Sequence, residues 1–135
     1  MTDRKTVLFA CVHNAGRSQM AAALFNLEAD DAKACAISAG TQPGARVHPV
    51  VVDAMRELRV ELTDAKPTLL TDDLARSASI LVTMGCGEAC PHVPGLRRED
   101  WPLADPKGRP FDEVRRIRDD IHGRVRELLS REGWK

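Results

Sequence analysis

Residues 11–18 read Cys-Val-His-Asn-Ala-Gly-Arg-Ser, and their types suit one kind of chemistry. Five small or polar residues, Val12, His13, Asn14, Ala15 and Gly16, separate a cysteine from an arginine. Gly16 permits a turn that residues with side chains resist, so successive amide N–H groups of the run are expected to point into one concavity. A helix beginning near Ser18 adds the positive end of its dipole. Arg17 offers a planar fork that pairs two oxygens of a tetrahedral oxyanion at once. A cysteine at the rim of such an anion cradle shares its positive field, which favours thiolate over thiol. Ser18 stands where it can donate a further hydrogen bond to the sulfur. Nucleophile and oxyanion trap are thus expected together. A lone strand-end cysteine would read as packing and a lone arginine as a solvated helix residue. Strand, cysteine, small loop, arginine, serine and helix in this order reverse that reading. The Gly-Lys-Ser/Thr ending of a nucleotide loop is missing, which disfavours ATP.

Elements of the right kind surround this run. Residues 6–10 are short, β-prone and continuously apolar, the pattern of a central strand covered on both faces. From Ser18, the expected N-cap, to about Ala29 the chain is rich in Ala, Leu, Met and Gln, which predicts a helix. A second strand is expected over 34–38 and a helix over 48–58, with Pro49 in its first turn. A short helical piece near 71–77 is capped by Thr71, and a third buried strand covers 80–84. A weaker strand includes Asp100 and Trp101. Asp112 then opens an amphipathic helix with Val114, Ile117, Ile121, Val125, Leu128 and Leu129 on one face. Strands alternating with helices predict an α/β fold, a parallel sheet flanked by helices on both faces, whose ligands sit beyond the C-terminal ends of the strands. Cys11, the segment Met84 to Cys86, and Asp105 all follow expected strands.

The whole chain sets bounds. Its 135 residues, 43% hydrophobic, suit a single domain over 1–135. Twenty basic residues balance 20 acidic ones, so no overall field favours nucleic acid or an anionic membrane. The N-terminal apolar run is too short for a signal peptide, and no segment approaches the ~20 apolar residues of a membrane span. A cytoplasmic location is expected. Four cysteines are too few for a secreted disulfide scaffold. The lack of a large exposed apolar stripe points to a monomer.

The motif at 11–18 resembles the low-molecular-weight phosphotyrosine phosphatase fold family, and most closely its arsenate reductase branch. Ile37-Ser-Ala-Gly-Thr41, Val82-Thr-Met-Gly85 and Asp105-Pro106 follow in the same order, so the resemblance spans about residues 6 to 130. It implies a four-stranded parallel sheet, an attacking thiolate at Cys11, oxyanion binding by Arg17 and the loop amides, and a general acid at Asp105. It also implies that Asn14 holds the loop shape, with Ser38 as its partner. By itself Asp-Pro is turn chemistry. An oxygen leaving phosphate or arsenate departs more easily when protonated, however, and a carboxylic acid beside the thiolate supplies that proton. Some reductases of the family bind potassium near the loop; Ala22 stands where an acidic ligand would be expected, so no metal is assigned.

Reductase and phosphatase share the first step, and the remaining cysteines separate them. Cys86 lies in Met-Gly-Cys-Gly-Glu-Ala-Cys-Pro, between Gly85 and Gly87. If Cys11 holds arsenic, attack by Cys86 forms a Cys11–Cys86 disulfide and expels arsenite. Cys90 then attacks Cys86 and frees Cys11. On a regular helix residues four apart have Cβ atoms about 5–6 Å apart, whereas a disulfide needs about 3.8 Å, so oxidation should distort this segment. The exposed oxidised loop would suit thioredoxin. In thioredoxin-coupled relatives the relay cysteines stand farther apart; other relatives use a small thiol such as mycothiol or glutathione, with glutaredoxin or mycoredoxin. No tightly bound cofactor is expected, only an external thiol reductant. Cys86 and Cys90 also read as packing residues or, with His92, as part of a metal site. Cys35 reads as core and His13 as a loop residue that tunes the thiolate. Phosphatases of this family place an aromatic residue after Asp-Pro to stack on phosphotyrosine. Here Lys107-Gly-Arg-Pro110 follows and the chain has no tyrosine, which favours a small inorganic oxyanion such as arsenate.

Overall fold

In a computed structural model, residues 4–85 and 93–135 are described. Four strands, β1 (Lys5–Cys11), β2 (Ala34–Gly40), β3 (Ile80–Thr83) and β4 (Arg97–Asp100), form one sheet in the order β2-β1-β3-β4. All three pairings are parallel. β1 is central because Val7 to Cys11 are all buried and can be covered on both faces. Its register sets Cys11 against Gly40 on one side and Ala10 against Thr83 on the other. The C-terminal ends of β1, β2 and β3 therefore meet at one edge, and β1 delivers the sulfur there.

The helices divide unequally between the faces. Alternate residues of β1 point to opposite sides. Val7, Phe9 and Cys11 join a large core built with α1 (Arg17–Glu28), α2 (Pro49–Arg56) and α4 (Phe111–Glu132), whereas Leu8 and Ala10 join a small one with α3 (Asp72–Arg76). The six apolar residues expected on the inner face of α4 are all buried. Gly133 ends that helix at φ 75, a left-handed conformation that suits glycine. Thr71 caps α3 as expected, its hydroxyl accepting from Leu74 N–H.

Three expectations are corrected. Ser18 is not the N-cap of α1: that position is Gly16, without a side-chain cap, and the Ser18 hydroxyl is engaged elsewhere. β4 covers Arg97–Asp100 and ends before Trp101, since an edge strand of charged residues carries no apolar signal. Cys35 is only half-buried because β2 is the other edge of the sheet. Among the described residues no helix is long and apolar enough to cross a membrane.

Candidate active site

Between β1 and α1 the chain wraps around the Cys11 sulfur. Each loop carbonyl is drawn outward by its own donor. Cys11 O accepts from Thr41 N–H, Val12 O from Gln42 N–H, His13 O from Gly44 N–H and Ala15 O from His48 N–H, at 2.8–3.2 Å. Asn14 O accepts from the Gln19 side chain at 3.1 Å. With the carbonyls turned away, the amides of Val12, His13, Ala15 and Gly16 donate to nothing among the described residues. A run of open N–H groups is an anion nest, and the first turn of α1 adds its dipole.

The nest is fixed from below by Asn14, which is fully buried with φ 49, a left-handed conformation that asparagine tolerates better than most residues. Its Nδ2 donates to Ser18 Oγ at 2.7 Å, and its Oδ1 accepts from Thr68 N–H at 2.9 Å and Gln19 Nε2 at 3.2 Å. Thr68, not Ser38, is the partner from beyond the loop, because the segment after Thr68 returns to pair Leu69 with Gly40. The Ser18 hydroxyl oxygen accepts from Asn14 and lies 2.8 Å from the Cys11 sulfur, a contact in which either atom can donate. Asn14 N–H donates to the same sulfur at 3.3 Å. Cys11 is 2% exposed, so both contacts are sheltered from competing water.

Glycines here serve space more than turning. Gly16 has φ −144, and a Cβ on it would stand 2.8 Å from Pro106 Cγ. A Cβ on Gly40 would meet Val12 O at 2.6 Å. At Gly85 both reasons apply: φ is 101 and a Cβ would lie 2.4 Å from Arg17 Nη1. That gap lets the Arg17 side chain lie buried across the end of β3, with Nη1 donating to Leu103 O at 3.0 Å. Its Nε and Nη2 make no hydrogen bond among the described residues, and Nη2 is 3.9 Å from Asp105 Oδ2. Nη1 is thus held, while Nε and Nη2 keep hydrogen-bonding capacity beside Asp105.

Asp105 reaches the same edge on the loop after β4. That loop starts from Trp101, whose N–H donates to Thr83 O and whose ring packs 5.4 Å from Phe9. Asp105 Oδ1 accepts from Lys107 N–H at 3.0 Å, and its backbone oxygen accepts from Arg109 Nε at 2.8 Å. Its side chain is 43% exposed.

The structure therefore brings together Cys11, the loop residues Val12 to Gly16, Arg17, Ser18 and Asp105. Cys86, Cys90 and His92 lie outside the described residues. His13 Nδ1 meets Gln42 O at 3.0 Å. Sequence reading missed Gln19, Thr68 and His48. Thr68 acts through tertiary contact and Gln19 through side-chain bonds to Asn14 and Lys66 that spacing does not reveal, but the histidine just before Pro49 was a visible signal. Burial holds the His48 imidazole below its ordinary range, against the opposing pull of Asp105.

The geometry agrees with what known proteins show. Residues 6–133 match the family described as low molecular weight phosphotyrosine protein phosphatase. An arsenate reductase of Bacillus cereus is 34% identical over 134 residues, covering 96% of this chain and 98% of its own length. One of Staphylococcus aureus is 32% identical over 133 residues, covering 95% and 98%. Among solved structures, a thioredoxin-dependent arsenate reductase of Corynebacterium glutamicum aligns with a TM-score of 0.80 and 41% identity over 93% of this chain, which spans 60% of that protein's length. The chain belongs to the low molecular weight phosphotyrosine protein phosphatase family, in the group of its arsenate reductase-like members.

Proposed function

We propose that the chain reduces arsenate to arsenite with Cys11 as nucleophile. One observation carries this reading: the unpartnered amides of the loop and the Arg17 guanidinium flank a sulfur that already accepts a hydrogen bond from Asn14 N–H and touches the Ser18 hydroxyl. Arsenate oxygens take the N–H groups of Val12, His13, Ala15 and Gly16 and the Arg17 fork. The Cys11 thiolate attacks arsenic, and one oxygen leaves as water with a proton from Asp105. Cys86 then attacks the Cys11 sulfur. The sulfur–arsenic bond breaks with its electron pair remaining on arsenic, which departs as arsenite while the two thiols become a disulfide. Exchange with Cys90 frees Cys11 and leaves a Cys86–Cys90 disulfide for thioredoxin to reduce. The names of the Bacillus cereus and Staphylococcus aureus relatives support the substrate, and that of the Corynebacterium glutamicum protein supports the reductant. The activity would serve arsenic detoxification in the cytoplasm.

Mass spectrometry of the chain after arsenate treatment without reductant tests the relay. A Cys86–Cys90 bond is expected, and Cys86→Ser should stop turnover while still reacting once at Cys11. Full turnover of Cys86→Ser with thioredoxin rejects the relay. Steady phosphate release from an aryl phosphate at a rate rivalling arsenate turnover would make the chain a phosphatase instead.

A further inference from the structure

Beside the cradle lies a cavity of about 380 Å³ that the steps above leave unused. It shares His13 and Ala15 with the cradle loop, and Arg46, His48 and Lys107 also line it. Its charged and titratable groups come from three segments: His13 from the cradle, Arg46 and His48 from the approach to α2, and Lys107 from the loop after β4. Asp105 acts on His48 from that last loop, but its carboxylate is already turned to Lys107 N–H and towards Arg17. The His48 ring lines the cavity and makes no hydrogen bond among the described residues. Its backbone is pinned at both ends, N–H to Ala15 O and carbonyl to Val51 N–H, which fixes where the ring stands. Neither Arg46 nor Lys107 has an ion-pair partner among the described residues, whereas Arg115, Arg118 and Arg126 on α4 are all paired. Two unspent cations and an open imidazole border a space that touches the nucleophile's own loop.

We propose that this cavity is an anion seat that selects which external thiol reaches arsenic-loaded Cys11, favouring a small thiol that bears a carboxylate. The proposal rests on the reading that Cys11 carries arsenic. In this route the external thiolate takes the place of Cys86. It attacks the Cys11 sulfur, forming a sulfur–sulfur bond; the sulfur–arsenic bond breaks, arsenic keeps the electron pair and falls from As(V) to As(III). Arsenite leaves with the proton of the incoming thiol, and both sulfurs are oxidised by one electron each. A second molecule of the thiol exchanges into the mixed disulfide, restoring the Cys11 thiol and releasing the symmetrical disulfide of the external thiol. The carboxylate sits between Arg46 and Lys107 and accepts a hydrogen bond from His48 or His13.

The Cys86→Ser chain, which lacks the internal thiol, is given arsenate and one of three small thiols: anionic mercaptopropionate, neutral mercaptoethanol or cationic cysteamine. Arsenite release is expressed per thiolate. Mercaptopropionate should lead mercaptoethanol on the order of fivefold, with cysteamine slowest, and the ranking should vanish in the added double variant Arg46→Gln and Lys107→Gln. Equal rates for the three, or a ranking that survives the double variant, overturns the seat. No arsenite with any thiol and no arsenic adduct on Cys11 overturns the underlying reading, and the seat with it. The intact chain gives a second measurement should Cys86→Ser fail to fold. The ratio of Cys11 alkylation rates with iodoacetate and iodoacetamide should fall severalfold in the Arg46→Gln and Lys107→Gln variant, and an unchanged ratio rejects the seat.

Discussion

The cradle and the acid loop meet at one edge of the sheet but are built differently. In the cradle every carbonyl from Cys11 to Ala15 has a partner, and Asn14 at its centre is fully buried. The loop carrying Asp105 is anchored at Trp101 and Leu103, and beyond them Asp105 is held by its neighbours Lys107 and Arg109 and by the longer ion pair to Arg17. An oxyanion site works by holding dipoles still where charge develops, so rigidity there is part of the chemistry. The proton donor proposed at Asp105 would instead have to exchange its proton with water between turnovers, which partial exposure allows.

The sharpest way to break this contrast is Arg17→Lys. Lysine keeps the charge but cannot donate to Leu103 O and present a planar fork together. Arsenate turnover should fall on the order of 10²–10³-fold in kcat/KM, and near-normal kinetics would show that the fork is dispensable. A smaller effect compares the two regions by stability. Asn14→Ala removes a buried centre of hydrogen bonds and should cost about 1–3 kcal/mol in denaturant unfolding. Arg109→Ala, in the exposed loop, should stay within about 0.5 kcal/mol; equal losses would erase the distinction. The smallest effect lies between the two regions. His48 binds its proton less readily when folded than when unfolded, because burial disfavours the charged ring. The unfolded chain therefore takes up that proton first as pH falls below about 6.5, and stability declines with it. Above that pH both states are neutral and the contribution vanishes. His48→Gln should lessen the drop in Tm between pH 7.5 and pH 5.5, and an unaltered drop would place the titration elsewhere.

Legibility in the sequence followed the same division. The cradle is contiguous, so Cys11, Arg17 and Ser18 declared themselves through residue type and spacing, and the buried strands through apolar runs. What holds the cradle was hidden because it arrives from distant segments: Thr68 onto Asn14, Leu103 onto Arg17, Gly85 as the space Arg17 needs. Gly16 was read as a turn residue, yet it is Pro106, 90 positions on, that demands a missing side chain. The fourth strand was expected around Asp100 and Trp101, but its bounds were misplaced because an edge strand of Arg-Arg-Glu-Asp looks like a solvated loop.

The position of α4 has a consequence for synthesis on the ribosome. Its inner face shares one core with Phe25 and Met20 of α1. The segment bearing Cys11 emerges early, yet the apolar flank of its helix stays uncovered until residues 111–132 have left the exit tunnel. The nascent chain thus carries the Cys11 loop on an unfinished scaffold for most of translation, and a chain stalled before α4 would present that flank to chaperones and proteases.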